Sequence, residues 1–169
     1  MEITLEQLLV ARERRRDRQT ELIGRHPGKT LVCLTVVLPG SVKRDARSLK
    51  VASAAVKTVQ SVLRPGVSEH YDLETGYEGY FIVDGAPEEV KRACCHIEDT
   101  HPYGRLMDLD VLLPEGDSVA PMGRETIGEQ PRRCLLCDRP ARECMRAHTH
   151  TFVEIVQIID KILSKDENL

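Results

Sequence analysis

Residues 31–38 of this 169-residue chain are Leu-Val-Cys-Leu-Thr-Val-Val-Leu, and the run stops at Pro39-Gly40. A continuous apolar run of this length, rich in β-branched residues, is typical of a strand buried on both faces. Residues 106–113, Leu-Met-Asp-Leu-Asp-Val-Leu-Leu, predict a second strand much later in the chain. The fold depends on what the chain forms between these two strands.

Two helices and a pair of strands are predicted in between. Asp45 can cap a helix whose apolar residues recur at helical spacing, and Pro87 suits the first turn of another helix. Residues 67–73 and 78–83 predict two strands joined by a turn. The resulting β-α-β-β-α-β order predicts an α+β fold with a ferredoxin-like core, in which an antiparallel sheet carries two helices on one face.

We predict a single domain in which four segments follow one another. Residues 1–28 form a basic N-terminal helix, and residues 30–113 form the α+β core. Residues 114–131 are rich in Pro, Gly and charge and are expected to form a loop. Residues 132–169 contain a Cys/His segment and then an amphipathic C-terminal helix.

The composition argues against several classes of function. Lys and Arg total 24, Asp and Glu total 27, and aromatic residues are 4% of the chain, so neither bulk charge nor base stacking favours nucleic acid. No apolar run approaches the ~20 residues of a membrane span, and the N-terminus has no apolar signal core. We therefore expect a cytoplasmic protein without a membrane partner, whose six cysteines are thiols or metal ligands rather than disulfides.

The first candidate site is the acidic pair, Asp108 and Asp110. Side chains alternate along a strand, so both carboxylates lie on one face with Cα atoms about 6–7 Å apart. Two such carboxylates can hold Mg²⁺ together with substrate phosphates, as phosphoryl and nucleotidyl transfer require. The alternative is an ordinary solvent-exposed strand face.

Basic side chains supply candidate phosphate ligands. Lys43 and Arg44 precede a predicted helix, where phosphate binds readily, and His101 and Arg105 come just before the acidic pair. The densest positive segment is the N-terminal helix, with Arg12, Arg14, Arg15, Arg16 and Arg18. This helix is either a dock for an acidic protein or a polyphosphate, or simply a solvated face.

The third candidate is a group of cysteines and histidines near the C-terminus. Cys134 and Cys137 have the spacing of a zinc knuckle, and Cys144 with His148 or His150 would complete a Cys₃His set. The alternatives are a cluster of partly buried thiols and a redox Cys-x-x-Cys motif.

Two long motifs carry a family resemblance. Residues 101–112 are His-Pro-Tyr-Gly-Arg-Leu-Met-Asp-Leu-Asp-Val-Leu, and residues 131–137 are Pro-Arg-Arg-Cys-Leu-Leu-Cys. With Cys144 and His150 following, they resemble the signature regions of the citrate lyase holo-acyl-carrier-protein synthases, also called apo-citrate lyase phosphoribosyl-dephospho-CoA transferases. The similarity covers roughly residues 5–160.

The resemblance implies a nucleotidyltransferase-type reaction. A serine of the acyl carrier protein (γ) subunit of citrate lyase would attack 2′-(5″-triphosphoribosyl)-3′-dephospho-CoA, and pyrophosphate would leave. We expect the acidic pair to hold Mg²⁺. We expect Arg105, together with Lys43 and Arg44, to bind the phosphates. His101 or an aspartate would take the serine proton.

We expect a structural role for the Cys/His cluster, which comprises Cys134, Cys137, Cys144 and His150. A zinc ion bound by these four residues would serve that role. Two other functions stay open at this point. One is a non-enzymatic zinc-knuckle adaptor that binds an acidic partner through its arginines. The other is a small metal-dependent phosphohydrolase that uses the acidic pair.

Overall fold

The computed structural model of the chain describes residues 1–164. Its elements in chain order are α1 (Leu5–Arg25), β1 (Thr30–Val36), α2 (Ala46–Leu63), β2 (Val67–Leu73), β3 (Gly76–Val83), α3 (Pro87–Thr100), β4 (Met107–Glu115), β5 (Ser118–Pro121), α4 (Ala141–Ala147) and α5 (Phe152–Ser164). Short 3₁₀ turns at Gly104–Leu106 and Arg124–Ile127 precede β4 and follow β5. The predicted combination of helices with an antiparallel sheet is confirmed.

One antiparallel sheet contains all five of these strands, in the order β2-β3-β1-β4-β5. β1 is central, pairing with β3 on one side and with β4 on the other. Its residues Leu31, Val32, Cys33 and Leu34 are all buried. This position explains the continuous apolar run, because both faces of β1 are covered.

Helices cover both faces of the sheet. On one face, α2, α3 and α5 pack against strand residues in a large core whose members include Val32, Leu34, Val59, Phe81, Ile97, Leu109, Val111 and Ile159. On the other face, α1 contributes Leu22 to a smaller cluster with Leu31, Cys33, Tyr80, Ile82 and Leu112. The basic N-terminal helix therefore lies against the sheet, on the face opposite α2 and α3.

Capping boxes begin α1 and α2. Thr4 and Gln7 form a capping box at the start of α1, each side chain accepting from the other residue's backbone N–H. Asp45 and Ser48 form the equivalent pair at the start of α2. Such caps satisfy backbone N–H groups that have no partner within the helix.

The prediction of a loop over residues 114–131 is wrong in part. β4 continues to Glu115, and the chain reverses at Gly116-Asp117 to form β5, which pairs with residues 112–115. Gly116 has a φ of 58°, a left-handed conformation that suits a two-residue hairpin turn. Part of the Pro and Gly content that suggested a loop comes from this turn and from Pro121 in the edge strand, where proline is tolerated.

The C-terminal segment also differs in detail from the prediction. α4 lies within the Cys/His segment, where no helix was expected, and α5 matches the amphipathic helix. Residues 165–169 of the predicted 132–169 segment lie outside the described residues. Among the helices of residues 1–164, none combines the length and the apolar character needed to cross a membrane.

Candidate active site

The acidic pair lies in a cavity between the sheet and α1. Along β4, Met107, Leu109 and Val111 point into the main core, so Asp108 and Asp110 point to the opposite face. Both aspartates line a cavity of about 260 Å³ whose other wall comes from α1. The Asp108 side chain is 42% exposed, which leaves it accessible to a ligand from solvent.

The electrostatics of this pair favour a bound cation. Burial, followed by the negative charge of Asp108, raises the pKa of Asp110 from its ordinary 3.8 to about 6. Two carboxylates side by side on one strand face are the oxygen ligands that Mg²⁺ takes in proteins, usually with substrate phosphates completing the shell. The donor set therefore fits a magnesium ion.

A buried carboxylate next to this cavity anchors α1. Glu78 of β3 and Asp108 of β4 lie on either side of Thr35 of β1, so all three side chains share one face. Glu78 is 2% exposed and accepts hydrogen bonds from Arg14 (3.1 Å) and Arg15 (3.2 Å). Tyr80 adds a third donor through its hydroxyl at 2.7 Å. These contacts fix the register of α1 over the acidic pair.

The arginines of α1 make two kinds of contact, and Arg15 makes both. Arg14, Arg15 and Arg18 pair with carboxylates, Arg18 with Glu69 of β2 and with Glu21. The α1 residues that line the cavity are Arg12, Arg15, Arg16 and Gln19. The sequence alone did not indicate that this helix faces the acidic pair.

Arg132 is a site residue to which the sequence analysis gave no role. Its Nη1 lies 3.5 Å from Oδ1 of Asp108, and its Nη2 donates to the carbonyl oxygens of Gly104, Arg105 and Met107. The motif Pro131-Arg-Arg-Cys134 marks this residue in the sequence, but only the fold brings it to β4. Its positive charge lowers the pKa of Asp110 and partly offsets the effect of burial.

Glu98 and Arg124 form a network that holds the backbone of Leu109, the residue between the two aspartates. The Leu109 N–H donates to Glu98 Oε1 at 2.8 Å, and Arg124 donates to the other oxygen of Glu98 at 2.7 Å. Arg124 also bonds the Asp99 carboxylate, so the 3₁₀ turn at Arg124–Ile127 is tied to α3. Because Leu109 separates the aspartates, this network positions the backbone that carries them.

Arg105 lies at a different cavity. Its Nη2 donates to the carbonyl oxygens of Arg133 and Cys134, and it lines a second cavity of about 250 Å³ together with Arg124 and Asp99. Its Nε is buried without a hydrogen-bond partner, and burial lowers the pKa of Arg105. The structure thus links Arg105 to the cysteine segment.

The other predicted site residues contact groups away from the acidic pair. His101 ends α3, and its Nδ1 accepts the Tyr103 N–H at 3.0 Å. Lys43 donates to the Leu38 carbonyl at 2.7 Å, and burial lowers its pKa, with the nearby charge of Arg12 as a further cause. Arg44 binds both oxygens of Asp72 on β2, at 2.7 and 2.8 Å. None of these residues lines the cavity of the acidic pair in the described part of the chain.

The Cys/His cluster is assembled by three parts of the chain. Cys134 and Cys137 come from the turn before α4, Cys144 from α4, and His150 from the segment before α5. One ligand atom from each lies within 4.8 Å of all the others, and the Cys137 and Cys144 sulfurs are 3.4 Å apart. This group could hold a metal ion.

The local chemistry of the cluster fits zinc. Ligands about 2.3 Å from a tetrahedral zinc are roughly 3.8 Å from one another, which is close to the spacing observed. Hydrogen bonds, first from the Arg139 N–H and then from His150, lower the pKa of Cys137 to about 6, as suits a thiolate ligand, whereas burial raises the pKa of its neighbour Cys144 to about 11. His150 Nε2 is buried without a hydrogen-bond partner, as a metal ligand lacking its metal would be.

Comparison with known proteins identifies the family. Residues 3–166 match the family described as apo-citrate lyase phosphoribosyl-dephospho-CoA transferase. The chain belongs to this family. A protein of Streptococcus pyogenes serotype M18 named probable apo-citrate lyase phosphoribosyl-dephospho-CoA transferase is 34% identical over 165 residues, covering 95% of this chain and 85% of its own. The apo-citrate lyase phosphoribosyl-dephospho-CoA transferase of Escherichia coli O1:K1 / APEC is 33% identical over 167 residues, which cover 96% of this chain and 89% of the relative. The family expected from the motifs is confirmed.

Proposed function

We propose that this chain transfers the phosphoribosyl-dephospho-CoA group to apo-citrate lyase. The observation that carries the proposal is the family match over residues 3–166, together with relatives that cover most of the chain and are named for this reaction. The cavity supports it independently, since it offers carboxylates for a metal on one wall and guanidinium groups on the other. Such a cavity suits a polyphosphate substrate.

The donor in this proposal is 2′-(5″-triphosphoribosyl)-3′-dephospho-CoA, and the acceptor is a serine of the acyl carrier protein subunit. The serine oxygen forms a bond to the α-phosphorus, and the bond from that phosphorus to the pyrophosphate oxygen breaks. The serine proton is lost and pyrophosphate leaves with the bonding electrons. The product is a phosphodiester, and no oxidant or reductant is needed.

Each candidate site residue has a proposed role in binding the metal, binding the phosphates or accepting the serine proton. Asp108 and Asp110 would hold Mg²⁺, which neutralises charge on the phosphates when it is bound. Arg132 lies beside Asp108 and keeps that carboxylate oriented. Arg105, Lys43 and Arg44 as phosphate ligands, and His101 or an aspartate as the base, belong to the same proposal. These four residues contact groups outside the cavity: Asp72 for Arg44, the Leu38 carbonyl for Lys43, the Tyr103 N–H for His101, and the Arg133 and Cys134 carbonyls for Arg105.

We also propose that the Cys/His cluster binds a structural zinc and that the core is a ferredoxin-like unit within a single domain. The spacing of the four ligand atoms and the orphaned His150 Nε2 support the zinc. The sheet order β2-β3-β1-β4 and the β-α-β-β-α-β chain order support the fold. Zinc at this position would fix the segment that carries Arg132.

Mixing the purified chain with apo-carrier subunit, donor and Mg²⁺ tests the function. Intact-mass spectrometry should show the carrier gaining one phosphoribosyl-dephospho-CoA group while pyrophosphate accumulates in equal amount. Pyrophosphate without a mass gain would indicate a phosphohydrolase instead, and carrier binding without either product would indicate an adaptor. Family membership disfavours both of these alternatives.

A further inference from the structure

One wall of the candidate active site is an arginine-rich helix. Arg12, Arg15, Arg16 and Gln19 lie at positions i, i+3, i+4 and i+7 of α1, which is the spacing of a single helix face. All four line the cavity that contains the acidic pair. The cavity therefore has carboxylates on β4 and guanidinium groups on the facing helix.

Arg12 and Arg16 differ from the other arginines of this segment. Arg14 and Arg15 pair with Glu78, and Arg18 pairs with Glu69 and Glu21. Within residues 1–164, no carboxylate lies in ion-pair distance of Arg12 or Arg16, although both line the same cavity as the acidic pair. The opposite charges face each other across the cavity without closing on each other.

This arrangement selects a ligand of mixed charge. A free anion would be repelled by the acidic pair, and a cation alone would be repelled by Arg12 and Arg16. A polyphosphate that carries a divalent cation satisfies both walls, because its metal meets the carboxylates and its remaining oxygens meet the guanidinium groups.

We propose that Arg12 and Arg16 bind the phosphate oxygens of the donor from α1, opposite the acidic pair. This inference rests on the proposed function for the identity of the donor. It gives α1 a binding role within the site, distinct from the phosphate ligands that the sequence predicts at Lys43, Arg44 and Arg105.

The main rival is a dock for the acidic carrier protein on the same arginines. Three of the five predicted docking arginines are already paired with carboxylates of α1 and the sheet, so much of the positive charge is neutralised. The remaining two, Arg12 and Arg16, line the same cavity as the acidic pair, whose carboxylates would repel an acidic protein but would bind the metal that a polyphosphate carries. The geometry thus favours the polyphosphate.

Glutamine variants of these two arginines test the proposal. Arg12→Gln, Arg16→Gln and the double variant should each be compared with Arg92→Gln, an exposed arginine of α3 beyond the other face of the sheet. Calorimetric titration with magnesium tripolyphosphate and the KM values for donor and carrier are the measurements. We expect the tripolyphosphate Kd and the donor KM to rise about tenfold or more per replaced arginine, as for loss of a charged hydrogen bond.

The remaining results separate the hypotheses. Arg12→Lys and Arg16→Lys should recover part of the binding, because charge is kept while the planar fork is lost. A raised carrier KM with unchanged donor KM and tripolyphosphate Kd would overturn the proposal in favour of a protein dock. If the double variant has the wild-type tripolyphosphate Kd, donor KM and carrier KM, the proposal is overturned in favour of a solvated helix face. If the wild-type chain transfers nothing to the carrier, the proposed function fails, while the tripolyphosphate titration still decides whether these arginines bind phosphate.

Discussion

The guanidinium of Arg132 lies 3.5 Å from the carboxylate of Asp108, and the same side chain bonds the carbonyl oxygens at the start of β4. Arg132 stands two residues before Cys134, the first ligand of the Cys/His cluster. One residue thus connects the proposed zinc site with the proposed magnesium site. In this proposal the C-terminal segment contributes to the active site as well as to stability.

Replacing Arg132 should reduce catalysis while leaving the chain folded. Arg132→Lys keeps the charge but cannot bond three carbonyl oxygens and face Asp108 at once, so the carboxylate loses its orientation. We expect kcat to fall about tenfold or more, as for loss of one charge-assisted hydrogen bond. The control is Arg133→Lys, whose guanidinium is 65% exposed and faces Asp138. Equal kcat values for the two variants would show that Arg132 does not position Asp108.

Removing either charge of the acidic pair should abolish most transfer. Asp108→Asn and Asp110→Asn bury no new apolar surface, yet each weakens the site for Mg²⁺. Loss of one group that stabilises transition-state charge typically lowers the rate by about 10²–10³. Asp117→Asn, in the exposed turn between β4 and β5, is the matched control. Near-normal kcat in both variants, with the Mg²⁺ concentration needed for half-maximal activity unchanged, would exclude a role for the pair in metal binding.

The sequence was sufficient for the features that depend on local spacing. Strand alternation placed Asp108 and Asp110 on one face, the capping residue Asp45 located α2, and the Cys134–Cys137 spacing indicated the knuckle. The residues that surround the acidic pair could not be predicted in this way, because they come from distant parts of the sequence and meet only in the folded protein. Glu78 meets Arg15 across 63 residues. That contact depends on how α1 crosses the sheet, which no periodicity encodes.

Zinc should be present in the purified protein and should stabilise it. Elemental analysis should give about one zinc per chain, because the Cys/His cluster offers four ligands. A zinc-selective chelator should lower Tm, and transfer should fall even with Mg²⁺ in excess, since the segment carrying Arg132 loses its anchor. Cys137→Ser serves as the control, because its Tm should already be low and should respond little to the chelator. Protein without zinc, with all three thiols titrating freely, would establish a thiol cluster instead.

The ion pair that ties α1 to the edge strand should make stability depend on pH. Arg18 contacts both carboxylate oxygens of Glu69, from Nη2 at 2.5 Å and from Nε at 3.0 Å, and this lowers the pKa of Glu69 below its ordinary 4.5. A carboxyl group whose pKa is lower in the folded state stabilises the fold above the unfolded-state pKa, and that contribution is lost as pH falls through the folded-state value.

Glu69→Gln should therefore be less stable than the wild type at pH 7, by about 1 kcal/mol for a partly buried pair. The difference should persist at pH 6 and shrink steadily below about pH 4.5, as the wild-type carboxylate becomes protonated and loses its attraction to Arg18. Urea denaturation at pH 7, 6, 5 and 3.5 measures it. Glu13→Gln is the control on the same helix, because Glu13 is exposed and forms no ion pair within residues 1–164. A wild-type advantage over Glu69→Gln that stayed constant down to pH 3.5 would mean that the glutamine variant loses packing rather than an ion pair.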